Sequence, residues 1–416
     1  MKIAIIGAGF TGLAAGLKLS RLHHQINIFE KNNSLGGLAE TFKIPDWQWA
    51  VEKHYHHWFT NDTFALNLIK DLGLYDELVF PKTETSLFLY GKIYPFNTPV
   101  DVLNFTPLSL TQRLLTGFNT AYLKLLPESL AINLEKTTAW DWLKKHYGLK
   151  TFETIWQPLL VGKFGKFARD VNMAWFWARI KKRTPKLGYL KGGYGRLLLA
   201  LQKEVENNGG IIKFNTLYTS DLLKKFDKVI FTTPSSVFAD LFNFEDEYSL
   251  KLKSIPHLHA LNLLLITKEK ILPSTYWLNI NTPGFPFIGV IQHTNLISWE
   301  FYGGNHLAWV ANYLPENHPL LKMSKEEVFN IYLPFLQKIN PSYNFELSTL
   351  NFELFMGPFA QPVFKINYSR LKPDFITPVK NVFLANMDMV YPWDRGTNYA
   401  IELGFQVAEL AAKICN

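Results

Sequence analysis

The start of the chain alternates between continuously apolar runs and a helical apolar pattern. Residues 3–6 form a short, β-branched apolar run, which predicts a buried parallel strand. Residues 13–19 follow with helical spacing, and residues 25–29 form a second strand-like run that ends in Glu30. The order of strand, helix and strand is typical of a parallel α/β unit.

Two later parts of the chain repeat this kind of pattern. The runs that predict strands there are 211–215, 226–234 and 381–385, and the predicted helices end at residues 206 and 410. The stretches between these pieces have another character. Residues 81–187 are mainly helical in pattern, whereas 236–369 contain strand-like runs at 260–266, 287–292 and 307–313.

The first strand and helix are joined by Gly7-Ala8-Gly9-Phe10-Thr11-Gly12, a GxGxxG motif. Gly7 allows the tight turn, Gly9 lets the backbone approach a pyrophosphate, and Gly12 lets helix and strand pack closely. Free N–H groups and the dipole at the helix start attract phosphates. Glu30, 18 residues after Gly12, stands where an acid binds ribose hydroxyls. Together these features predict a dinucleotide site rather than an ordinary glycine-rich turn.

A second glycine pair separates flavin from nicotinamide cofactors. Residues 35–38 read Leu-Gly-Gly-Leu, with the first glycine six residues after Glu30. This spacing resembles the second fingerprint of the flavin amine oxidase superfamily, which includes monoamine oxidases, protoporphyrinogen oxidase, phytoene desaturases and UDP-galactopyranose mutase. Many members carry Arg after the pair, where this chain has Leu38. Segments 190–234 and 381–400 also resemble family pieces, in the family's order along the chain.

The resemblance implies an α/β fold: a Rossmann-like FAD-binding domain of the GR2 type with an inserted α+β substrate domain. The FAD-binding domain is expected to be discontinuous, built from residues 1–80, 188–235 and 370–416. The substrate domain is then formed by a helical part, 81–187, and an antiparallel sheet in 236–369.

The resemblance also implies which residues contact FAD. Leu217 falls where the family backbone meets adenine, and Met387 falls where the family has an acid, with Asp388 one residue later. The expected contacts are Gly7, Gly9, Phe10, Thr11, Gly12, Glu30, Lys31, Gly36, Gly37, Leu38, His56, Leu217, Met387, Gly396, Thr397 and Asn398. FAD is expected to be noncovalent because Cys415, the single cysteine, lies at the far end of a helix.

Composition narrows the class of protein further. The 416 residues are 48% apolar and 19% charged, which excludes a disordered chain. A single cysteine excludes an intrachain disulfide and a Cys-rich metal site. The net charge of +8 fits an anionic membrane surface, an anionic ligand, nucleic acid or a solvated basic surface. No window approaches the roughly 20 apolar residues of a membrane-spanning helix.

The densest polar cluster is the segment 53–62, which holds three histidines. Metal ligation is one interpretation, but no Cys or acidic partner supports it, and no metal is expected. The segment aligns with the mutase pattern Gly-Pro-His-x-Phe-His-Thr-Asn, which places His56 beside the flavin. Packed polar aromatics at the domain seam are the alternative. His56 and, by rough position, Lys365 are weak candidates for catalysis, and the catalytic residues stay unknown.

Two other segments have more than one interpretation. Gly91–Asn97 resembles the mutase and oxidase stretch that lines the far side of the flavin, or is an ordinary hairpin. Residues 175–183 couple Trp-Phe-Trp to a basic run. This run predicts contact with a lipid interface. Two alternatives are a diphosphate site, with Arg179 and Arg183 as the anion contacts, and a helix with one apolar and one basic face. Nucleic acid is not expected, because no fold signature for it accompanies the run.

The resulting functional expectation is an FAD-dependent oxidoreductase. Two-electron hydride transfer from an apolar or amine-type small molecule to flavin N5 fits the aromatic second lobe, in the manner of protoporphyrinogen oxidases or desaturases. A redox-neutral sugar-nucleotide mutase and a noncatalytic FAD-binding protein are the alternatives. The expected location is cytoplasmic, with peripheral binding to the inner face of the membrane, and the electron acceptor is left open.

Overall fold

The computed structural model describes residues 1–242 and 247–414. Its first sheet consists of five parallel strands: β1 (Lys2–Ile6), β2 (Gln25–Phe29), β10 (Ile211–Lys213), β11 (Lys228–Phe231) and β17 (Val382–Leu384). Their order is β10-β2-β1-β11-β17, so β1 lies at the centre. The three chain pieces expected to bind FAD supply all five strands. The predicted α/β class with a Rossmann-like sheet is confirmed.

Helices cover both faces of this sheet because side chains alternate along each strand. Ile3 and Ile5 face α1 (Phe10–Arg21), α10 (Tyr194–Asn207) and α16 (Thr397–Lys413). Ala4 and Ile6 face α12 (Ser235–Phe242) and α13 (Glu247–Lys253) on the other side. Two further helices of this lobe are α2 (Thr63–Asp71), which packs on α16, and α11 (Leu222–Lys225), which precedes β11.

The structure moves one predicted domain boundary. Residues from 236 onward were expected in the substrate domain. Phe238, Ala239 and Leu252 instead pack with Val229 and Phe231 on the outer face of the parallel sheet. Because α12 and α13 cover the apolar outer face of β11, they pack with the cofactor lobe.

The second lobe contains a seven-stranded sheet. Its strands are β7 (Thr85–Leu89), β8 (Lys92–Pro95), β12 (His257–Thr267), β13 (Trp277–Ile280), β14 (Gly289–Gln292), β15 (His306–Leu314) and β16 (Thr349–Pro362). The order is β16-β12-β15-β14-β13-β7-β8, and only β13 and β7 pair in parallel. The three predicted runs in this region fall on β12, β14 and β15. The outer face is covered by α14 (Lys325–Ile339), and α15 (Phe345–Ser348) leads into β16.

The helical insertion packs against the opposite face of that sheet. Its helices are α3 (Pro99–Leu103), α4 (Leu110–Leu125), α5 (Glu128–Ala131), α6 (Ala139–Tyr147), α7 (Leu149–Thr151), α8 (Gln157–Phe164) and α9 (Met173–Lys182). Capping boxes at Thr98 and Ser109 start α3 and α4. Among the described residues, no helix is long and apolar enough to cross a bilayer.

Short strands form two further small sheets. They are β3 (Thr41–Phe42), β4 (Val51–Glu52), β5 (Trp58–Phe59), β6 (Leu78–Val79) and β9 (Leu187–Leu190). β9 lies between β5 and β6, and β3 pairs with β4. Residues 54–59 contact both lobes, because His54 bonds to Asn262 of β12 and Trp58 bonds to Thr397 of α16. The remaining single turns are 3-10 helices, and a π-helix spans Phe152–Trp156.

Candidate active site

The glycine loop after β1 is shaped to receive a ligand. Gly7 has a φ of +108°, and Gly9 caps α1 without a side chain. A Cβ on Gly12 would lie 2.0 Å from the Gly7 carbonyl oxygen, so only glycine allows this approach. A Cβ on Gly9 would meet nothing nearer than the Gly36 oxygen at 3.8 Å. The space in front of Gly9 is therefore open, as a phosphate-binding loop requires.

The structure brings the two glycine motifs together. Gly36, with a φ of +106°, pairs with Gly9 as an isolated parallel bridge, and its amide donates to the Ala8 carbonyl at 3.0 Å. A Cβ on Gly37 would lie 3.8 Å from the Gly9 Cα. Leu38 lies at the start of the turn that follows, close to Gly357 of β16. Two segments separated by more than twenty residues thus form one glycine-lined cleft.

Glu30 stands at the end of β2 beside this cleft. Its carboxylate accepts from the Ala8 amide and from the Asn32 amide, both at 2.9 Å, and 7% of the residue is exposed. These two bonds leave acceptor capacity on both oxygens, since a carboxylate offers about four sites. Lys31 is exposed on the same turn. Leu217 is 71% exposed, directly after Thr216, whose amide donates to the Glu30 carbonyl.

The N-terminus of α16 closes the opposite end of the cleft. Gly396 caps the helix in extended backbone without a side-chain bond, and a Cβ there would meet nothing within 4 Å. Trp58 Nε1 donates to Thr397 Oγ1 at 2.9 Å, and the Ala65 amide donates to Asn398 Oδ1 at 3.1 Å. These bonds fix the helix end, whose dipole favours negative charge in the open space before it.

The histidine segment lies between these two helix starts. The His56 ring is 5.2 Å from the Tyr194 ring, which contacts Phe10 of the glycine loop at 6.1 Å. Trp58 stacks on the same Tyr194 ring at 4.0 Å. His56 Nδ1 is 2.6 Å from the His54 carbonyl oxygen, and burial lowers the pKa of His56 to about 4. His56 is therefore neutral at pH 7 and lies beside Tyr194, which also contacts Phe10 and Trp58.

His54 is held by the second lobe. Asn262 Nδ2 donates to His54 Nδ1 at 2.7 Å, and a Cβ on Gly357 would lie 2.8 Å from His54 Nε2. Burial lowers the pKa of His54 to about 3. Among the described residues, no group of three or more His, Cys, Asp and Glu side chains could hold a metal ion.

The acid that follows the last strand, Asp388, bonds to a residue of the second lobe. Asp388 is 1% exposed and forms an ion pair with His257 Nε2 at 2.6 Å. Burial would raise the pKa of Asp388, but the contact with His257 outweighs it, and the pKa lies below its usual value. The Asp388 carboxylate is thus committed to β12. Met387, which occupies the sequence position of the family acid, is only partly buried.

Two weaker candidates do not join this group. The ammonium of Lys365 lies 5.8 Å from the centre of the Phe167 ring in the helical insertion, and its carbonyl accepts from Asn172. The Gly91–Asn97 stretch forms the edge hairpin strand β8, where Tyr94 packs against Phe105 at 5.3 Å. Lys365 therefore lies against the helical insertion, and the second segment forms a hairpin with β7.

The aromatic segment 175–177 is buried, which corrects the predicted lipid contact. Its side chains are 2%, 6% and 0% exposed, because Asn172 caps α9 and this face of the helix enters the core of the insertion. Lys182 Nζ lies over the Trp393 ring at 4.8 Å, and Lys181 Nζ donates to the Lys124 carbonyl. The prediction that these aromatics bind a lipid interface is wrong. Cys415 lies outside the described residues.

The structure contains a charged cluster beside Gly396 that the sequence did not predict. Asp394 accepts from the guanidinium of Arg179 and from Trp175 Nε1, and Lys163 Nζ lies 3.8 Å from it. Arg395 follows it in the chain. The only signal in the sequence was Arg179 in its basic run, because the other members come from α8 and from the loop before α16. Their meeting depends on how the insertion packs against the cofactor lobe.

This chain matches a known protein family in sequence and solved structures in fold. The family model for flavin containing amine oxidoreductases matches residues 10–412. A 4,4'-diapophytoene desaturase (4,4'-diaponeurosporene-forming) of Staphylococcus aureus (strain COL) is 54% identical over 43 residues, which are 10% of this chain and 9% of that enzyme. The chain thus matches only about a tenth of that curated relative's length.

Two solved structures share the fold over the whole chain. One is a protein assigned as a protoporphyrinogen oxidase from Exiguobacterium sp. 255-15, with a TM-score of 0.76, 16% identity and 99% of both chains covered. The other is reduced UDP-galactopyranose mutase, with a TM-score of 0.76, 14% identity and 100% of this chain and 96% of that chain covered. At these identities the likeness shows the fold alone.

Proposed function

Because the chain belongs to the family of flavin containing amine oxidoreductases, we propose that it binds FAD noncovalently and oxidises an apolar or amine-type small molecule by two electrons. Membership makes the protein a flavin-dependent oxidoreductase. The proposal of FAD as the cofactor rests on the cleft between Gly9, Gly37 and the N-terminus of α16. A Cβ added to Gly9 or Gly396 would meet no protein atom closer than 3.8 Å, so the cleft is open at both helix starts. A long cofactor with a phosphate centre fits two uncapped helix ends facing one space.

Each part of this cleft has a distinct task toward FAD. The N-terminus of α1 binds the pyrophosphate, and Glu30 accepts from the ribose hydroxyls. The N-terminus of α16 stabilises negative charge at the pyrimidine edge of the ring. FAD, when bound, supplies the acceptor for a hydride at N5.

The second lobe provides the wall on the substrate side. Tyr55 packs edge-on against Trp277 at 4.9 Å, and both residues are partly exposed. Such aromatic surfaces bind flat or extended apolar molecules and exclude water from a hydride transfer. His56, neutral at pH 7 because of its lowered pKa, adds no charge to this wall.

The test is a visible spectrum followed by anaerobic substrate screening. The purified protein should be yellow, release FAD on denaturation, and bleach when a substrate of the proposed class is added without oxygen. Colourless protein that binds NAD instead of FAD would disprove the proposal.

A redox-neutral sugar-nucleotide mutase is the second candidate, favoured by His56 at the cleft and by Arg179 near it. A steady-state assay separates the two functions. An oxidoreductase consumes one acceptor per product, whereas a mutase needs prior reduction of the flavin and then consumes no acceptor.

Replacing Glu30 should weaken FAD binding without unfolding the protein. We expect Glu30→Ala to cost about 1–3 kcal/mol of FAD binding free energy, the range for lost hydrogen bonds to a charged group. The measurement is titration of the apoprotein with FAD followed by flavin fluorescence. Glu77→Ala is the matched control, because Glu77 pairs with Arg196 on the surface of the same lobe. Equal FAD affinity in both variants would argue against a ribose contact.

Membrane association is proposed on a different surface from the one the sequence indicated. The outer face of α4 exposes apolar side chains one turn apart: Leu110, Leu114, Phe118, Tyr122 and Leu125, at 61%, 56%, 70%, 46% and 79%. The helix carries Arg113 and Lys124 and no acidic residue. An apolar stripe flanked by cations fits the surface of an anionic bilayer.

Polar substitutions on this stripe should release the protein from vesicles. We expect Leu114→Ser combined with Phe118→Ser to lower binding to phosphatidylserine-containing vesicles at least about tenfold, because burying each side chain is worth about 1.5–3 kcal/mol. Leu199→Ser is the control, since Leu199 is 61% exposed on α10. Co-sedimentation in low and high salt measures the effect. Wild-type protein that stays in the supernatant at low salt would rule out this surface.

A further inference from the structure

The charged cluster between the two lobes holds more cations than acids. Arg179 and Lys163 share the single carboxylate of Asp394. Within the described part of the chain, Arg395 has no acidic partner: its Nε donates to Gln361 Oε1 at 2.9 Å, and its guanidinium also donates to the Tyr313 hydroxyl. Two guanidinium groups and the Lys163 amine therefore surround one carboxylate.

The side chains of this cluster are only partly exposed to solvent. The side chains of Lys163, Arg179 and Asp394 are 13%, 34% and 25% exposed. Burial, with Arg179 close by, lowers the pKa of Lys163 well below its usual value, and burial lowers the pKa of Arg395 to about 10. Cations that are largely withdrawn from water and lack counter-ions are costly unless a ligand supplies the missing negative charge.

The cluster is linked by hydrogen bonds to the segment that holds His56. The Tyr313 hydroxyl that accepts from Arg395 lies 2.9 Å from the Tyr55 hydroxyl, and Tyr55 precedes His56 in the chain. Arg395 itself precedes Gly396, the cap of α16. Burial, and after it the charge of Arg395, lowers the pKa of His56, so Arg395 and His56 lie in the same part of the site.

We propose that Arg395, Arg179 and Lys163 bind an oxyanion, a carboxylate or a phosphate, carried by the substrate. Guanidinium groups suit both because their planar donors match two oxygens at once. Arg395 is the primary contact because no carboxylate occupies it, and Asp394 keeps Arg179 and Lys163 in position. The inference rests on the proposed function and narrows its substrate to an apolar molecule with an anionic end.

The test uses FAD-loaded protein, so that the cofactor fills its own phosphate site. Inorganic pyrophosphate and succinate are titrated separately at constant ionic strength. Binding is followed by calorimetry and by tryptophan fluorescence, since Trp175 donates to Asp394. Saturable binding of either probe is expected, and the arm that binds more tightly identifies phosphate or carboxylate as the group.

The variants assign the binding to the cluster. Arg395→Gln should lower the affinity for the probe at least about tenfold, the loss expected for a charged hydrogen bond. Arg395→Lys should recover part of that affinity. Arg196→Gln, on the surface, should leave the affinity unchanged. The flavin spectrum of each variant reports whether it is folded and loaded. If neither probe binds to yellow protein, or if Arg395→Gln binds as well as wild type, this inference fails while the proposed function stands. Colourless wild-type protein would instead count against the proposed function.

Discussion

Gly9→Val should purify as a folded but colourless protein. The Gly9 position is open in the structure, with the Gly36 oxygen at 3.8 Å as the nearest atom to an added Cβ. The valine side chain therefore clashes with no protein atom near its Cβ, but it occupies the space that the pyrophosphate needs. We expect the FAD content to fall from near-stoichiometric to undetectable while circular dichroism stays native.

Gly117→Val is the matched control for this loss. Gly117 lies in α4, and a Cβ there meets nothing within 4 Å. The same side chain is added to the same protein, far from the glycine loop, so flavin content should not change. A yellow Gly9→Val protein with unaltered FAD affinity would contradict a phosphate site at α1.

The second large effect is expected at Gly404, where the first and last long helices of the cofactor lobe touch. A Cβ at Gly404 would lie 2.4 Å from the Thr11 carbonyl oxygen and 2.8 Å from the Ala14 Cβ. Backbone atoms cannot move aside as a side chain can, so Gly404→Ala should destabilise the protein by about 1–3 kcal/mol, the usual range for overpacking. Because α1 and α16 both start at the cleft, FAD affinity should fall as well.

Chemical unfolding of the FAD-loaded protein measures the first effect, and FAD titration measures the second. Gly117→Ala makes the same substitution in open space and should be neutral or stabilising by up to about 1 kcal/mol, because alanine is the better helix former. Similar unfolding midpoints for the two variants would show that the helices tolerate a wider separation than the structure has.

The parts of the site that could be predicted are those whose residues lie close together in the sequence. The loop from Gly7 to Gly12, the acid Glu30 and the pair Gly36-Gly37 each follow a strand at fixed spacing, so position along the chain determines position in space. Strand patterns were likewise recognised because buried parallel strands are continuously apolar.

The parts that could not be predicted depend on packing between distant segments. The segment Trp175–Trp177 has the same sequence pattern whether it faces lipid or the core of the insertion. Its burial depends on the contact with α8 and the sheet, which the local sequence does not show. Asp388 lies one residue from the family position, but its partner His257 is on β12, over a hundred residues away. Arg395 meets Tyr313 and Gln361 only once both lobes are assembled.

The order of strands in the parallel sheet has a consequence for synthesis of the protein. β1 pairs with β11, with Ile3 opposite Lys228, and β11 pairs with β17, with Phe231 opposite Leu384. The sheet is therefore incomplete until residue 384 has left the ribosome, and α16 follows only afterwards. At about 5–20 residues per second, the nascent chain waits roughly 20 s or longer with an open apolar sheet edge. An exposed apolar edge of this kind favours chaperone binding during that interval, and we expect flavin to bind only after α16 has been made.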